Sequence, residues 1–169
     1  MPESDESGPG AKLGDVVRAE LGVYFRHLAS RVERAVRALP REKLWVKPLA
    51  YGNSVGHLVL HLTGNLNHYI GARIAATGYV RDRPKEFTDP SEAPAERVLE
   101  NFHKAIDLVV HTIESLDDES LTTPVAEEPP VKTRFGLLLV CAAHLNNHIG
   151  QMSYLVQAQG YSTQERPVW

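Results

Sequence analysis

Glycine and proline cut this 169-residue chain into four long stretches, and each stretch repeats its apolar residues at steps of three and four. The first runs from Lys12 to Leu39 and stops at Pro40, with Val16, Leu21, Val23, Leu28, Val32, Val36 and Leu39 as its apolar positions. The second follows the loop before Asn53 and Ser54, either of which can cap a helix, and is expected to run to Thr77 with Gly78 ending it. The third has Ser91 as candidate cap and carries Val98, Phe102, Ile106, Val109, Ile113 and Leu116. The fourth starts near Thr133 or Phe135 and runs to Gln159, stopped by Gly160. No stretch alternates with period two, so no strand is expected. Four amphipathic helices of about 24 residues, each about 36 Å long, predict an all-α chain, most economically a four-helix bundle. Connections of about 13 to 17 residues exceed tight hairpins, which leaves room for a crossover connection.

Composition narrows the function classes. Charged residues make up 23% and the apolar set 43%, enough for one core and too apolar for a disordered chain. The net charge of −3 gives no basic footprint, so no nucleic-acid partner is expected. A single cysteine, Cys141, excludes a disulfide framework and a multi-cysteine zinc site. The first ten residues, MPESDESGPG, are acidic and rich in Gly and Pro. They are expected to form a disordered tail, residues 1–10, ahead of a single domain spanning 11–169. The chain opens without a basic-plus-apolar leader, so a cytoplasmic location is expected. The longest apolar run, Phe135 to Ala143, is far short of the roughly 20 residues of a membrane span.

Charge is unevenly placed. Residues 48–72 and 135–164 contain no Asp, Glu, Lys or Arg, whereas the first and third stretches carry charge throughout. A bundle helix normally exposes a charged face. The second and fourth helices therefore need cover on their outer sides, and a homodimer through these two helices is the expected cause.

Five of the eight histidines fall in the same two helices. His144 and His148 are four apart, so they share a face, and Leu137, Cys141, Gln151 and Leu155 lie within about 60° of them. Two imidazoles so spaced can share one cation. Leu145, Asn146 and Asn147 stand between them, so the glutamate of a zinc-protease helix is absent. In the second helix Ser54, His57, His61, Asn65, His68 and Ala72 form a column beside the apolar stripe. Either His57 or His61 would complete a three-histidine set, and geometry alone does not choose. A di-iron carboxylate site fails: Glu100-Asn-Phe-His103 is the one Glu-x-x-His match, and Glu100 points away from the core stripe. His27, His103 and His111 read as surface residues, and Cys141 as a core residue.

Asn53-Ser-Val-Gly-His-Leu-Val-Leu-His61-Leu-Thr-Gly-Asn-Leu, preceded by Leu44-Trp45 and Pro48, resembles the second-helix signature of the DinB-like (YfiT-like) metal-binding bundles. His144-Leu-Asn-Asn-His148-Ile-Gly-Gln151 resembles their fourth-helix motif. Together the resemblance covers residues 12–160. It implies a bundle in up-down-down-up order with one long crossover. It also implies a divalent metal on one histidine of helix two and two of helix four. By position these are His61, His144 and His148, so the resemblance selects His61 over His57. Many members carry an acidic residue where Asn65 stands, a departure that leaves ligand orientation to an amide.

Three neutral imidazoles and an open position are the pattern of a catalytic ion. Zinc and nickel both suit imidazole ligands. Two chemistries follow, water activation in a hydrolase and thiol activation in an S-transferase. The resemblance brings in the latter, with a low-molecular-weight thiol as co-substrate beside a small-molecule substrate. No Asp or Glu is expected near the histidine columns to act as general base, which favours thiol transfer. His57, Asn65, His68, Tyr51 and Gln151 are the candidate pocket residues, with Gln151 placed to orient a ligand ring. The competing reading is a non-catalytic, metal-stabilised stress-response or interaction bundle.

Overall fold

The apolar stripe of the first stretch becomes α1, Leu13–Arg37, which buries Leu21, Phe25, Leu28, Val32 and Val36 along one side. The coordinates, a computed structural model, describe residues 12–125 and 130–163. The expected disordered tail, residues 1–10, lies outside them. The remaining helices are α2, Val55–Leu66; α3, Lys85–Thr88; α4, Ala95–Ser115; α5, Asp118–Thr122; and α6, Arg134–Ala158. The chain is all-helical, and among the described residues the one extended pairing is a bridge between Pro124 and Thr133. No described helix is long and apolar enough to cross a membrane. Helices α1 and α2 each pack on both α4 and α6 and touch one another little. The core fills the space between them, with Phe25, Phe102, Leu58, Leu62, Leu138 and Leu145 among its fully buried side chains.

The helix ends follow local chemistry. Ser54 caps α2 by accepting a hydrogen bond from the His57 N–H, and Thr133 caps α6 by accepting one from Gly136 N–H. At the far end of α6, Gly160 has φ +83°. Its N–H reaches the Gln157 carbonyl at 2.9 Å and the Tyr161 N–H reaches that of Val156 at 3.1 Å, a Schellman closure that only a left-handed residue permits. Two boundaries differ from the sequence expectation. Ser91 does not cap α4; its N–H donates to Asp89 Oδ1 in a turn, and Pro94 keeps Ala93 out of the helical region, so α4 begins at Ala95. The second helix does not run on to Thr77. It widens into a π-helical turn, Asn67–Ala72, in which the Asn67 side chain donates to the Thr63 carbonyl.

The two charge-free helices have different explanations. Nearly all of α2 is buried, including Val59, His61 and Asn65, because α3 packs on it alongside α4 and α6 and Trp45 lies against Gly56. A Cβ on Gly56 would come within 2.7 Å of the Trp45 ring. The expected cover for α2 therefore comes from the chain itself, not from a second copy. Helix α6 does keep an uncharged outer face, with Leu139, Val140 and Tyr154 exposed.

Candidate metal centre

The one-residue-in-four spacing of His144 and His148 puts both rings on the side of α6 that faces α2, where His61 meets them. One ligand atom from each of the three lies within 4.8 Å of the others. The Nε2 atoms of His61 and His144 are 3.0 Å apart, and the ring centroids of His144 and His148 are 4.4 Å apart. Among the described residues this is the one cluster of three or more such side chains spaced to hold an ion.

The outer nitrogens decide what the inner ones can do. His61 Nδ1 is 2.8 Å from Glu86 Oε2. A carboxylate only accepts, so Nδ1 carries the proton and Nε2 is left with a bare lone pair. Arg81 Nη2 is also 3.2 Å from that Nδ1, but the guanidinium spends its bonds on the same carboxylate, Nε to Oε1 at 2.6 Å and Nη2 to Oε2 at 2.8 Å. His148 Nδ1 likewise donates to Gln151 Oε1 at 2.7 Å, which frees its Nε2. The tautomers of two of the three imidazoles are thus set by their neighbours, with acceptor nitrogens left for an ion.

Glu86 reaches this position because Gly64 has no side chain. A Cβ there would overlap Glu86 Oε1. The Glu86 and Arg81 side chains are only 7% and 11% exposed, a buried pair with the ion pair's full geometry. Phe87, next in sequence, sets its ring 5.0 Å from that of His61, and the Arg83 guanidinium sits 5.7 Å above the Phe87 ring.

Burial keeps the cluster neutral. It is the largest cause in each case. The His144 imidazole is pushed down to about 4, with His148, His61, Arg81 and Arg83 adding to the effect. His61 is lowered as well, with Glu86 opposing, and so is His148, with Gln151 opposing. Neutral imidazoles are the metal-binding form.

The other candidate residues scatter. Gln151 stands against His148. Asn65 lines a cavity next to His144. His68 is half-buried with its ring edge-on to Tyr69. His57 is occupied elsewhere: its Nδ1 is 2.6 Å from Ser54 Oγ and its ring meets Trp45 edge-on at 5.2 Å. Tyr51 is fully exposed, so it is not a pocket residue; it sits on the turn before α2, where no element covers it. Cys141 is buried and its thiol is pushed up to about 12 by that burial, which makes it a core residue and a poor ligand. His103 pairs loosely with Glu33 at 3.5 Å on the surface.

The expectation that ligand orientation falls to the Asn65 amide, with no carboxylate near the histidines, is overturned by Glu86. It lies 25 residues beyond His61, on α3 rather than on a histidine-bearing helix. The signal in the sequence was the charged run Arg81-Asp-Arg-Pro-Lys-Glu86, which follows soon after a stretch without any charge.

Residues 16–163 match the model of a family described as "Protein of unknown function (DUF1572)". No curated protein matches the chain.

Proposed function

The chain belongs to the family described as a protein of unknown function (DUF1572), and we propose that His61, His144 and His148 hold a divalent cation, zinc or nickel, with a position left open for chemistry. The observation that carries this reading is the pair of Nε2 atoms 3.0 Å apart, with the Nδ1 atoms of His61 and His148 turned outward onto acceptors. His61 Nε2, left bare by Glu86, faces His144 Nε2, and either a His144 N–H or a cation between them satisfies that lone pair. A bound ion would supply Lewis acidity, lowering the pKa of a water or thiol in the free position.

The residues around the ion divide the remaining work. Glu86 fixes the tautomer and angle of His61 and raises its basicity, and Arg81 holds Glu86 in place. Gln151 does the same for His148. Glu86 spends both oxygens on Arg81 and His61 and so is a positioning residue, not a base free to take a proton from substrate. That favours transfer of a low-molecular-weight thiol to a small electrophile over hydrolysis of stable substrates, because a deprotonated thiol needs no further base.

The same reading makes the chain a DinB-like domain, a single cytoplasmic unit whose four long helices follow up-down-down-up order. It pairs two chains through the uncharged outer face of α6, where Tyr154 is 76% exposed. A second reading has the ion tie α2 to α6 without catalysis, since its ligands come from both helices.

The test is turnover. Zinc- or nickel-loaded protein is assayed for conjugation of small thiols to a chlorodinitrobenzene and for ester hydrolysis, beside His144→Ala. Thiol conjugation that disappears in the variant supports the S-transferase reading. A stoichiometric ion without turnover on either panel transfers the role to the non-catalytic bundle.

A further inference from the structure

A cavity of about 210 Å³ lies against His144, walled by Asn65, Tyr69, Val131, Leu137, Val140 and Cys141. One wall residue is anomalous. Asn65 is only 7% exposed, yet among the described residues its amide makes no hydrogen bond. Its polar atoms are not sealed in either, because among the described residues the one fully enclosed side-chain atom without a partner is Gln159 Oε1. A buried amide with both donor and acceptor capacity, unpartnered by protein and forming part of a cavity wall, is poised to bond whatever enters. The other walls are apolar, apart from Tyr69, the Cys141 thiol and His144 itself, and none carries a fixed charge.

We infer that this cavity takes the body of a small, uncharged-polar ligand, a short aliphatic group bearing a carbonyl or carboxamide that Asn65 reads while Leu137, Val140 and Val131 hold the apolar part. Size sets the class. Pockets for drug-sized molecules run from roughly 300 to 1,000 Å³, so this one takes a fragment or the end of a longer molecule. An amide side chain matches a carboxamide at both ends, donor to acceptor and acceptor to donor. A charged group finds no counter-charge on these walls. His144 belongs to both the cavity and the histidine cluster, so a ligand held here lies beside the ion's ligand set. Its use as a substrate pocket rests on the metal reading above; its capacity to bind does not.

Isobutyramide is the probe, titrated into the full chain in two samples, one zinc-loaded and one chelated, and followed through the methyl NMR signals. Saturable shifts confined to the methyls of Val131, Leu137 and Val140 are expected in both samples. Binding is expected to weaken at least fivefold in Asn65→Leu. Because Asn65 is buried, Val140→Phe serves as the second variant; Val140 is exposed and lines the cavity, so a larger ring there is expected to fill it from the surface. Shifts that do not saturate, that fall elsewhere, or that persist in both variants overturn the inference. Zinc content read on the same samples separates the two claims. Zinc binding without amide binding removes the pocket alone, and amide binding without zinc removes the cation site alone.

Discussion

Glu86→Gln is the sharpest perturbation of the site. In the native chain the carboxylate accepts from His61 Nδ1 at 2.8 Å and from Arg81 through both its oxygens, at 2.6 and 2.8 Å. Both members of the ion pair are nearly buried. Replacing the carboxylate leaves the Arg81 guanidinium buried with half its partner, a loss of about 3–5 kcal/mol by comparison with other broken buried pairs. Against a total stability of about 5–15 kcal/mol that is a large fraction, so the variant is assayed at low temperature and its folding is checked first. At the ion, loss of the group that orients a ligand imidazole lowers affinity about 10- to 100-fold, or about 1.4–2.7 kcal/mol. Urea unfolding reads the first quantity and competition with a chromophoric chelator reads the second. Arg81→Met combined with Glu86→Gln removes the stranded charge, so stability recovers while affinity does not. A folded Glu86→Gln protein that holds zinc as tightly as the native chain refutes the positioning role.

Three further outcomes follow from the same geometry. The buried imidazoles have lowered pKa values, so between their ordinary 6.5 and the value of about 4 for His144 the native state binds fewer protons than the unfolded chain. The metal-free protein therefore keeps full stability above pH 6.5 and loses it as pH falls toward 4, a trend that urea midpoints against pH will show and that a rise on acidification would contradict. Gly64→Ala gains about 1 kcal/mol of helix propensity yet pushes Glu86 off His61. The expected result is weaker zinc binding by about tenfold, of the order seen for loss of an orienting partner, and an Ala variant with undiminished affinity would show that the close approach is not needed. Zinc at one hundred times its dissociation constant stabilises the chain by about 2.7 kcal/mol. Thermal unfolding with and without chelator measures this, and the difference should vanish in His148→Ala.

The long helices were legible because their packing leaves a trace in local spacing. Phe25, Leu28, Val32 and Val36 repeat at helical steps, and Gly160 marks the end of α6 by the one conformation that closes it. The cluster was legible for a related reason: His144 and His148 share a helix face by spacing alone. The third histidine was not, since His57 and His61 differ by one turn on the same column; the structure separates them by what lies opposite, Trp45 and Ser54 for His57 and the α6 histidines for His61. The π-helical turn at Asn67–Ala72 left no signal, because the residues there still fit a helix of ordinary pitch. Glu86 was illegible on different grounds. Its role comes from a tertiary approach across 25 residues, admitted by an absent side chain at Gly64. Helical periodicity cannot report on that. The lack of charge on α2 predicts cover from a second chain; the cover comes from α3, α4 and α6 of the same one.

The most direct test of the account is the metal content and coordination of protein made without a histidine tag, by elemental analysis and X-ray absorption. One zinc or nickel ion per chain is expected, with imidazole nitrogens as its protein ligands, absent from His144→Ala. A chain that folds and takes up no ion when zinc or nickel is offered contradicts it.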